Sequence, residues 1–367
     1  MAWTNQQEAA IKAVRKWLSN KHGPQIFRLF GFAGTGKTTL ARELTNTVCG
    51  KTLFSAFTGK ASLVLRKKGC DASTIHSLIY KPVQDDATGQ VNFILNYDSP
   101  LATAALLIVD EVSMVGEDQA RDLISFGIKI LVLGDPAQLP PVKGEGFFIN
   151  AQPDVMLTEI HRQAADNPII RLSMDVREGR PLQVGTYGES RVMRRGDIDR
   201  DAMRELVMGA DQVLCGLNRT RQTFNARVRA IKSIPSNWPV VGDKLVCLKN
   251  NREKGLLNGG IWEAAKVAHT SKVSLLRVKS LDEPDQAHLD VEVPNEFWIG
   301  AEKTLDWRVL KDFDQFTYGY CLTVHKAQGS QFDNVVLFDE SAIFREHAKN
   351  WIYTGLTRAA ERVTVVI

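Results

Sequence analysis

Cysteine is scarce in this 367-residue chain and carries no pattern. Cys49, Cys70, Cys215, Cys247 and Cys321 include no C-x-x-C pair. That spacing excludes the common zinc and dithiol motifs and predicts reduced thiols in a cytosolic setting. No apolar run approaches the length a bilayer-spanning helix needs, so no membrane partner is expected. Lys12, Arg15 and Lys16 interrupt the first segment, so no signal peptide is expected. Repeats and low-complexity tracts are missing, which excludes solenoid and fibrous classes. Charge of one sign is not in excess: 46 Lys and Arg face 42 Asp and Glu, a net charge of +4. Such a balance permits a nucleic-acid partner, provided a groove concentrates the positive charge locally. The length suffices for two or three domains, each with its own core.

What is present centres on Gly31-Phe-Ala-Gly-Thr-Gly-Lys-Thr38. This is G-x-x-x-x-G-K-[ST], a loop whose backbone N–H groups cradle phosphates. Ile26–Phe30 before it reads as a buried strand, and 38–48 after it as a helix with Leu40, Leu44 and Val48 four apart. Strand, glycine turn and helix together direct amides and a helix N-terminus at a triphosphate. Lys37 would meet the β- and γ-phosphates, and the Thr38 hydroxyl would ligate Mg²⁺. Gly34, Thr35, Gly36 and the following Thr39 complete the expected ATP-binding set.

The flanking segments extend this site. A helix over 4–18 carries Gln6 and Gln7 in its first turn. Their amides either read an adenine edge or are merely solvated. Thr52–Ala56 is a strand that runs into a helix opening near Thr58 and Lys60, a ready phosphate site unless Lys60 is a surface lysine. Residues 81–102, with short alternating pieces, predict a β-hairpin with Phe93 near its tip. Phe93 there would stack on a base or pack beneath the hairpin. The buried strand 105–109 ends in Asp110-Glu111, where Asp110 would hold Mg²⁺ and Glu111 would orient and deprotonate water. A strand over 130–133 leads to Gly134-Asp-Pro-Ala-Gln-Leu-Pro-Pro, from which Gln138 can reach a γ-phosphate.

A second α/β pattern starts at Leu157-Thr-Glu-Ile-His-Arg. Arg162, and Arg358 on an expected helix, are candidates for charge supplied to the transferring phosphate. β-rich runs from 240 to 293, punctuated by Gly242-Asp243 and Asn258-Gly259, predict a small inserted barrel. Lys244, Lys249, Arg252, Lys254 and Lys266 on it form either a nucleic-acid rim or scattered surface charge.

Taken in order, these blocks resemble the superfamily 1 helicases of the 5′→3′ class, most closely the RecD-like and phage Dda-like group. The resemblance rests on Gly31–Thr38, Asp110–Met114, Gly134–Pro141, Leu157–Arg162, Val324–Gly329 and Tyr353–Arg358. It implies an ATP-dependent DNA helicase with two RecA-like domains of parallel sheets. The first is expected over 1–155, with a strand-separating pin at about 77–103. The second is expected over 156–239 and 317–367, interrupted by an SH3-like barrel at 240–316. By the same resemblance Gln7 reads adenine, while Gln328 and Gly329 approach the γ-phosphate. Arg162 and Arg358 become arginine fingers. Thr58, Lys60, Thr74, His76, Phe93, Asn218, Thr323, His325 and Lys326 contact the strand. The family usually has proline where Phe57 stands. The expected cofactors are ATP and Mg²⁺. The expected partners are single-stranded DNA and single-/double-strand junctions, with a single-strand-binding or replication protein beside them. The resemblance also implies a monomeric motor in the cytoplasm of a bacterium or phage-infected cell. An RNA-directed motor and an ATP-gated recruitment module that cannot unwind stay open as alternatives.

Overall fold

A computed structural model describes residues 3–84, 91–141, 146–160, 166–251 and 253–367. The chain forms two units, Met1–Arg177 and Glu178–Ile367.

In the first unit α1 (Asn5–Ser19) is fixed by a capping box. The Thr4 hydroxyl accepts from the Gln7 amide N–H, and the Gln7 side chain accepts from Thr4 N. Then follow β1 (Ile26–Gly31), α2 (Lys37–Thr45), β2 (Thr52–Ala56), α3 (Gly59–Lys67), β3 (Ala72–Thr74) and α4 (Ile75–Ile79). A hairpin of β4 (Tyr80–Gln84) and β5 (Val91–Leu95) comes next. β6 (Leu106–Asp110), α5 (Glu117–Ile124), β7 (Lys129–Gly134), β8 (Val155–Leu157) and α6 (Pro168–Arg177) complete the unit. Six strands make one parallel sheet in the order β3-β2-β6-β7-β1-β8. β6 shows why its run is apolar without alternation. Leu106 and Ile108 enter the core on one face, Leu107 and Val109 the core on the other. β7 lies between β1 and β6, so the loops after all three open at the same sheet edge.

Leu157 does not begin a second pattern. It ends β8, which pairs with β1 in the register Gly31↔Leu157. A Cβ on Gly31 would come within 2.8 Å of the Leu157 Cβ, so glycine lets these strands approach. The first unit accordingly runs to Arg177, beyond the boundary at 155 that the sequence pattern suggests.

The second unit contains β9 (Gly185–Tyr187), β10 (Ser190–Met193), α7 (Arg200–Met208), β11 (Gln212–Cys215) and α8 (Asn218–Ile231). It continues with β12 (Lys244–Cys247), β13 (Ile261–His269), β14 (Val273–Ser280), β15 (Leu289–Pro294), α9 (Glu296–Ile299), α10 (Trp307–Asp312) and β16 (Phe316–Tyr318). β17 (Cys321–Thr323), β18 (Phe332–Phe338), α11 (Ala348–Leu356) and β19 (Ala359–Val366) close the chain. A sheet ordered β17-β11-β18-β19-β10-β9 is parallel except for β9. The five strands β15-β14-β13-β12-β16 form an antiparallel sheet between α8 and β17 in the chain. β14 alternates buried and exposed residues along its length, as one face on a core and one in water require.

A buried ion pair roots this sheet on α8. Arg229 donates to both Asp243 oxygens and to the Ser236 and Trp238 carbonyls, and Tyr320 Oη donates to Asp243. The basic residues expected as a rim are partly committed elsewhere. Lys244 bonds the Asp211 carbonyl and Gln212, Lys249 the carbonyls of Leu310 and Lys311, and Lys254 pairs with Asp314. Arg252 lies outside the described residues.

Candidate nucleotide and nucleic-acid sites

The glycine-rich loop is assembled by its own polar groups. Gly34 and Gly36 both take φ of 79°, a left-handed conformation that glycine adopts without strain. Thr35 is fully buried and its hydroxyl donates to Phe32 O. Lys37 Nζ, in the first turn of α2, donates to Gly31 O at 2.5 Å and Phe32 O at 3.0 Å. Thr38 Oγ1 donates to Asp110 Oδ2 at 2.9 Å. The loop after β1 and the end of β6 thus meet through one hydroxyl–carboxylate pair. These are hard oxygen donors of the kind that hold Mg²⁺ with help from substrate phosphates. Among the described residues no cluster of three or more His, Cys, Asp and Glu could hold a metal by itself.

Glu111 follows Asp110 and has φ 54°, ψ 47°, a strained left-handed conformation for a residue with a Cβ. Its N–H donates to Asp110 Oδ1 at 2.8 Å. Gln138, after β7, sits on a turn that Asp135 holds by accepting from Ala137 N. Its own N–H donates to Asp135 O. Thr39 stands partly exposed beside Thr38 in α2.

Gln7 is 2% exposed. Its Nε2 donates to Thr35 O at 3.0 Å while its Oε1 accepts from Thr4 N at the cap of α1, so the amide ties the phosphate loop to the start of that helix. Gln6 ties α1 to the end of β8 through Met156 O, Thr158 and the Glu159 amide. An adenine would have to replace one of these bonds. One contact at the loop has no signal in the sequence: the Arg177 guanidinium lies 3.8 Å from the ring centroid of Phe32.

The strand-contact candidates of the first unit fall around α3, α4 and the hairpin. Thr58 and Thr74 are the N-caps of α3 and α4, accepting from Ala61 N and Ser77 N. Lys60 is buried at 5% exposure rather than a surface lysine. Phe93 lies within β5 of the hairpin. It pairs with Pro82 in mid-strand, is 55% exposed, and meets His76 edge-on at 4.5 Å. His76 in turn packs on Tyr80, whose hydroxyl donates to Asp122.

In the second unit Asn218 is the exposed first residue of α8. The N-terminus of α8 is held by Glu340, which accepts from Gly216 N at 2.7 Å, Leu217 N at 3.0 Å and Thr220 Oγ1 at 2.6 Å. No spacing in the sequence links Glu340 to this turn. Thr323, His325 and Lys326 follow one another off β17, and Thr323 Oγ1 accepts from Lys326 N. Burial lowers the His325 pKa. Lys326 reaches solvent, yet the dense surroundings, and next Arg221, push its amine down to about 8. Gln328 is 4% exposed, and Gly329 has φ 74°.

Arg358 is not on a helix. α11 ends at Leu356, and Arg358 stands at the junction with β19, buried at 5% exposure. Its guanidinium donates to Thr354 O, Ser330 O and Thr357 Oγ1. Arg162 lies outside the described residues.

The family described as AAA domain matches residues 3–197, and the UvrD-like helicase C-terminal domain matches 318–366. The ATP-dependent RecD2 DNA helicase of Deinococcus radiodurans is 29% identical over 98% of this chain and 50% of its own length. This chain therefore spans about half of that relative. The ATP-dependent DNA helicase Pif1 of Bdellovibrio bacteriovorus is 21% identical over 90% of this chain and 80% of its own. Among solved structures, Bacteroides Pif1 bound to single-stranded DNA superposes with a TM-score of 0.59 at 17% identity, covering 99% of this chain and 92% of that one. At that identity the likeness is one of fold, an α/β helicase core. With the AAA domain match covering more than half of its 367 residues, the chain belongs to that family, on its superfamily 1 RecD- and Pif1-like branch.

Proposed function

We propose that the chain is the motor of an ATP-dependent DNA helicase that moves 5′→3′ on single-stranded DNA and opens duplex ahead of it. The observation that carries this reading is the Thr38–Asp110 hydrogen bond of 2.9 Å beside Lys37. It joins the phosphate loop to the carboxylate at the β6 edge, as a Mg-ATP site requires. The names of the RecD2 and Pif1 relatives support the choice of DNA. So does a Pif1 structure described as a complex with ADP-AlF3 and ssDNA.

In this reading Lys37 leaves the Gly31 and Phe32 carbonyls for the β- and γ-phosphates. Glu111 takes the proton of the attacking water as its oxygen bonds the γ-phosphorus and the bond to ADP breaks. Thr38 and Asp110 would hold Mg²⁺, which offsets charge on the phosphate oxygens. Gln138, Gln328 and Gly329 position the γ-phosphate, and Arg162 and Arg358 stabilise its charge. The strand lies on Thr58, Lys60, Thr74, His76, Phe93, Asn218, Thr323, His325 and Lys326, held mainly by its phosphates. The β4–β5 hairpin serves as the pin and the five-stranded sheet as the SH3-like insert, in a protein that works as a monomer.

The test is strand displacement on partial duplexes with a 5′ or a 3′ single-stranded tail, with ATP and Mg²⁺. Opening of the 5′-tailed substrate alone is expected. Opening of the 3′-tailed one alone would reverse the direction. ATP turnover stimulated by the strand without any opening would make the protein a translocase or recruitment module, and stimulation by RNA over DNA would change its substrate.

A further inference from the structure

Two arginines of α8 are buried to nearly the same degree, Arg221 at 6% and Arg229 at 5% exposure. Arg229 has what such a charge needs: a carboxylate and two carbonyls. Arg221 has none of these. Its Nε and Nη1 are sequestered without a hydrogen-bond partner among the described residues. A guanidinium keeps its proton under all ordinary conditions, so Arg221 cannot shed its charge. Holding it without a partner is among the costlier states a fold can adopt.

The neighbours do not neutralise it. Cys215 and Cys321 are buried thiols 3.6 Å apart, and burial raises the Cys321 pKa, which keeps that thiol neutral. Lys326 is a second cation within electrostatic reach, and Glu302 is a half-exposed carboxylate that both cations feel. One carboxylate thus faces two positive charges. Glu340 accepts from the Gly216 and Leu217 amides just before α8 and from the Thr220 hydroxyl, so an incoming anion at that helix end would meet a carboxylate. Asn218 is three residues before Arg221, and Thr323 opens the turn that carries Lys326.

We propose that Arg221 is an anion-binding residue of the strand site: together with Lys326 it takes a backbone phosphate of single-stranded nucleic acid, which supplies the acceptors the fold withholds. This rests on the strand-contact reading of Asn218 and the Thr323–Lys326 turn.

The experiment titrates a labelled oligothymidylate with wild type, Arg221→Gln and Arg221→Lys across a salt series, with folding checked by thermal melting. For Arg221→Gln the expected result is affinity about tenfold weaker at low salt and a log–log salt slope shallower by about one. Arg221→Lys restores most of the slope. A folded Arg221→Gln with the wild-type slope overturns the proposal and leaves the strand site standing. A wild type that binds no strand overturns both. A loss of ATP affinity with the strand slope intact assigns the anion to the nucleotide and also overturns it. If Arg221→Gln fails to fold, oligonucleotides with one neutral methylphosphonate at successive positions serve instead. Arg221→Lys must then alter the penalty at one phosphate, and an even change at all positions overturns the proposal.

Discussion

The two units carry candidate sites of opposite character. In the first, the phosphate loop is closed on itself: Lys37 on two carbonyls, Thr38 on Asp110, Gln7 on Thr35, Thr35 on Phe32. In the second, Arg221 is buried with its Nε and Nη1 unpartnered among the described residues, within electrostatic reach of Lys326, whose amine is pushed down to about 8. A site that satisfies its own polar groups can be stored intact and exchanges internal bonds for substrate bonds. A site left with uncompensated charge depends on its ligand for that balance, so its affinity responds to salt and pH.

The comparison is most sharply tested at Lys37. Replacing Lys37 by Ala should abolish ATP turnover while single-strand binding persists; turnover measured near the wild-type rate would remove the loop from the chemistry. Glu111→Gln should bind ATP and lose on the order of a hundredfold or more in turnover, as expected for a general base. An unchanged rate would show that the strained backbone at Glu111 serves another purpose.

The second unit should respond to pH. Lys326 is charged below about 8 and loses its proton as pH rises through that value. Strand affinity should therefore weaken between about pH 7 and 9; desolvation chiefly sets the low midpoint, Arg221 lowers it further and Glu302 raises it. Lys326→Arg should flatten this dependence in the same binding assay, and a profile unaltered by that change would assign the titration elsewhere. The smallest expected effect is at the cap of α1. Thr4→Ala should cost about 1 kcal/mol in denaturant unfolding, since it removes the acceptor of the Gln7 N–H. A Thr4→Ala loss of ATP affinity larger than its stability loss would show that Gln7 contributes to the nucleotide site directly.

Local patterns were legible wherever one segment builds its own feature. The glycines of the phosphate loop, the unalternating strands β2, β6 and β7, and the turn at Gly259, with φ 84°, all follow from neighbours in sequence. Legibility failed where a short segment takes its role from a distant one. Leu157 reads as the start of a new pattern until its pairing with Gly31 is seen. Arg358 has helical spacing, yet the chain turns into β19 there and buries its guanidinium against Thr354 and Ser330 carbonyls. Phe93, expected near the tip, is set opposite Pro82 in mid-strand by the backbone pairing of β4 and β5.

The sequence by itself determined the α/β class, the phosphate loop, the carboxylates after β6 and the family resemblance. These depend on spacings of a few residues and on apolar periodicity, which survive without knowledge of distant contacts. Only the tertiary structure decided which charges are compensated. Lys244, Lys249 and Lys254 became structural, Glu340 became the acceptor for the turn leading into α8, and the Arg221 Nε and Nη1 were left without an acceptor among the described residues. Charge compensation acts through space between segments far apart in the chain, so no local pattern encodes it.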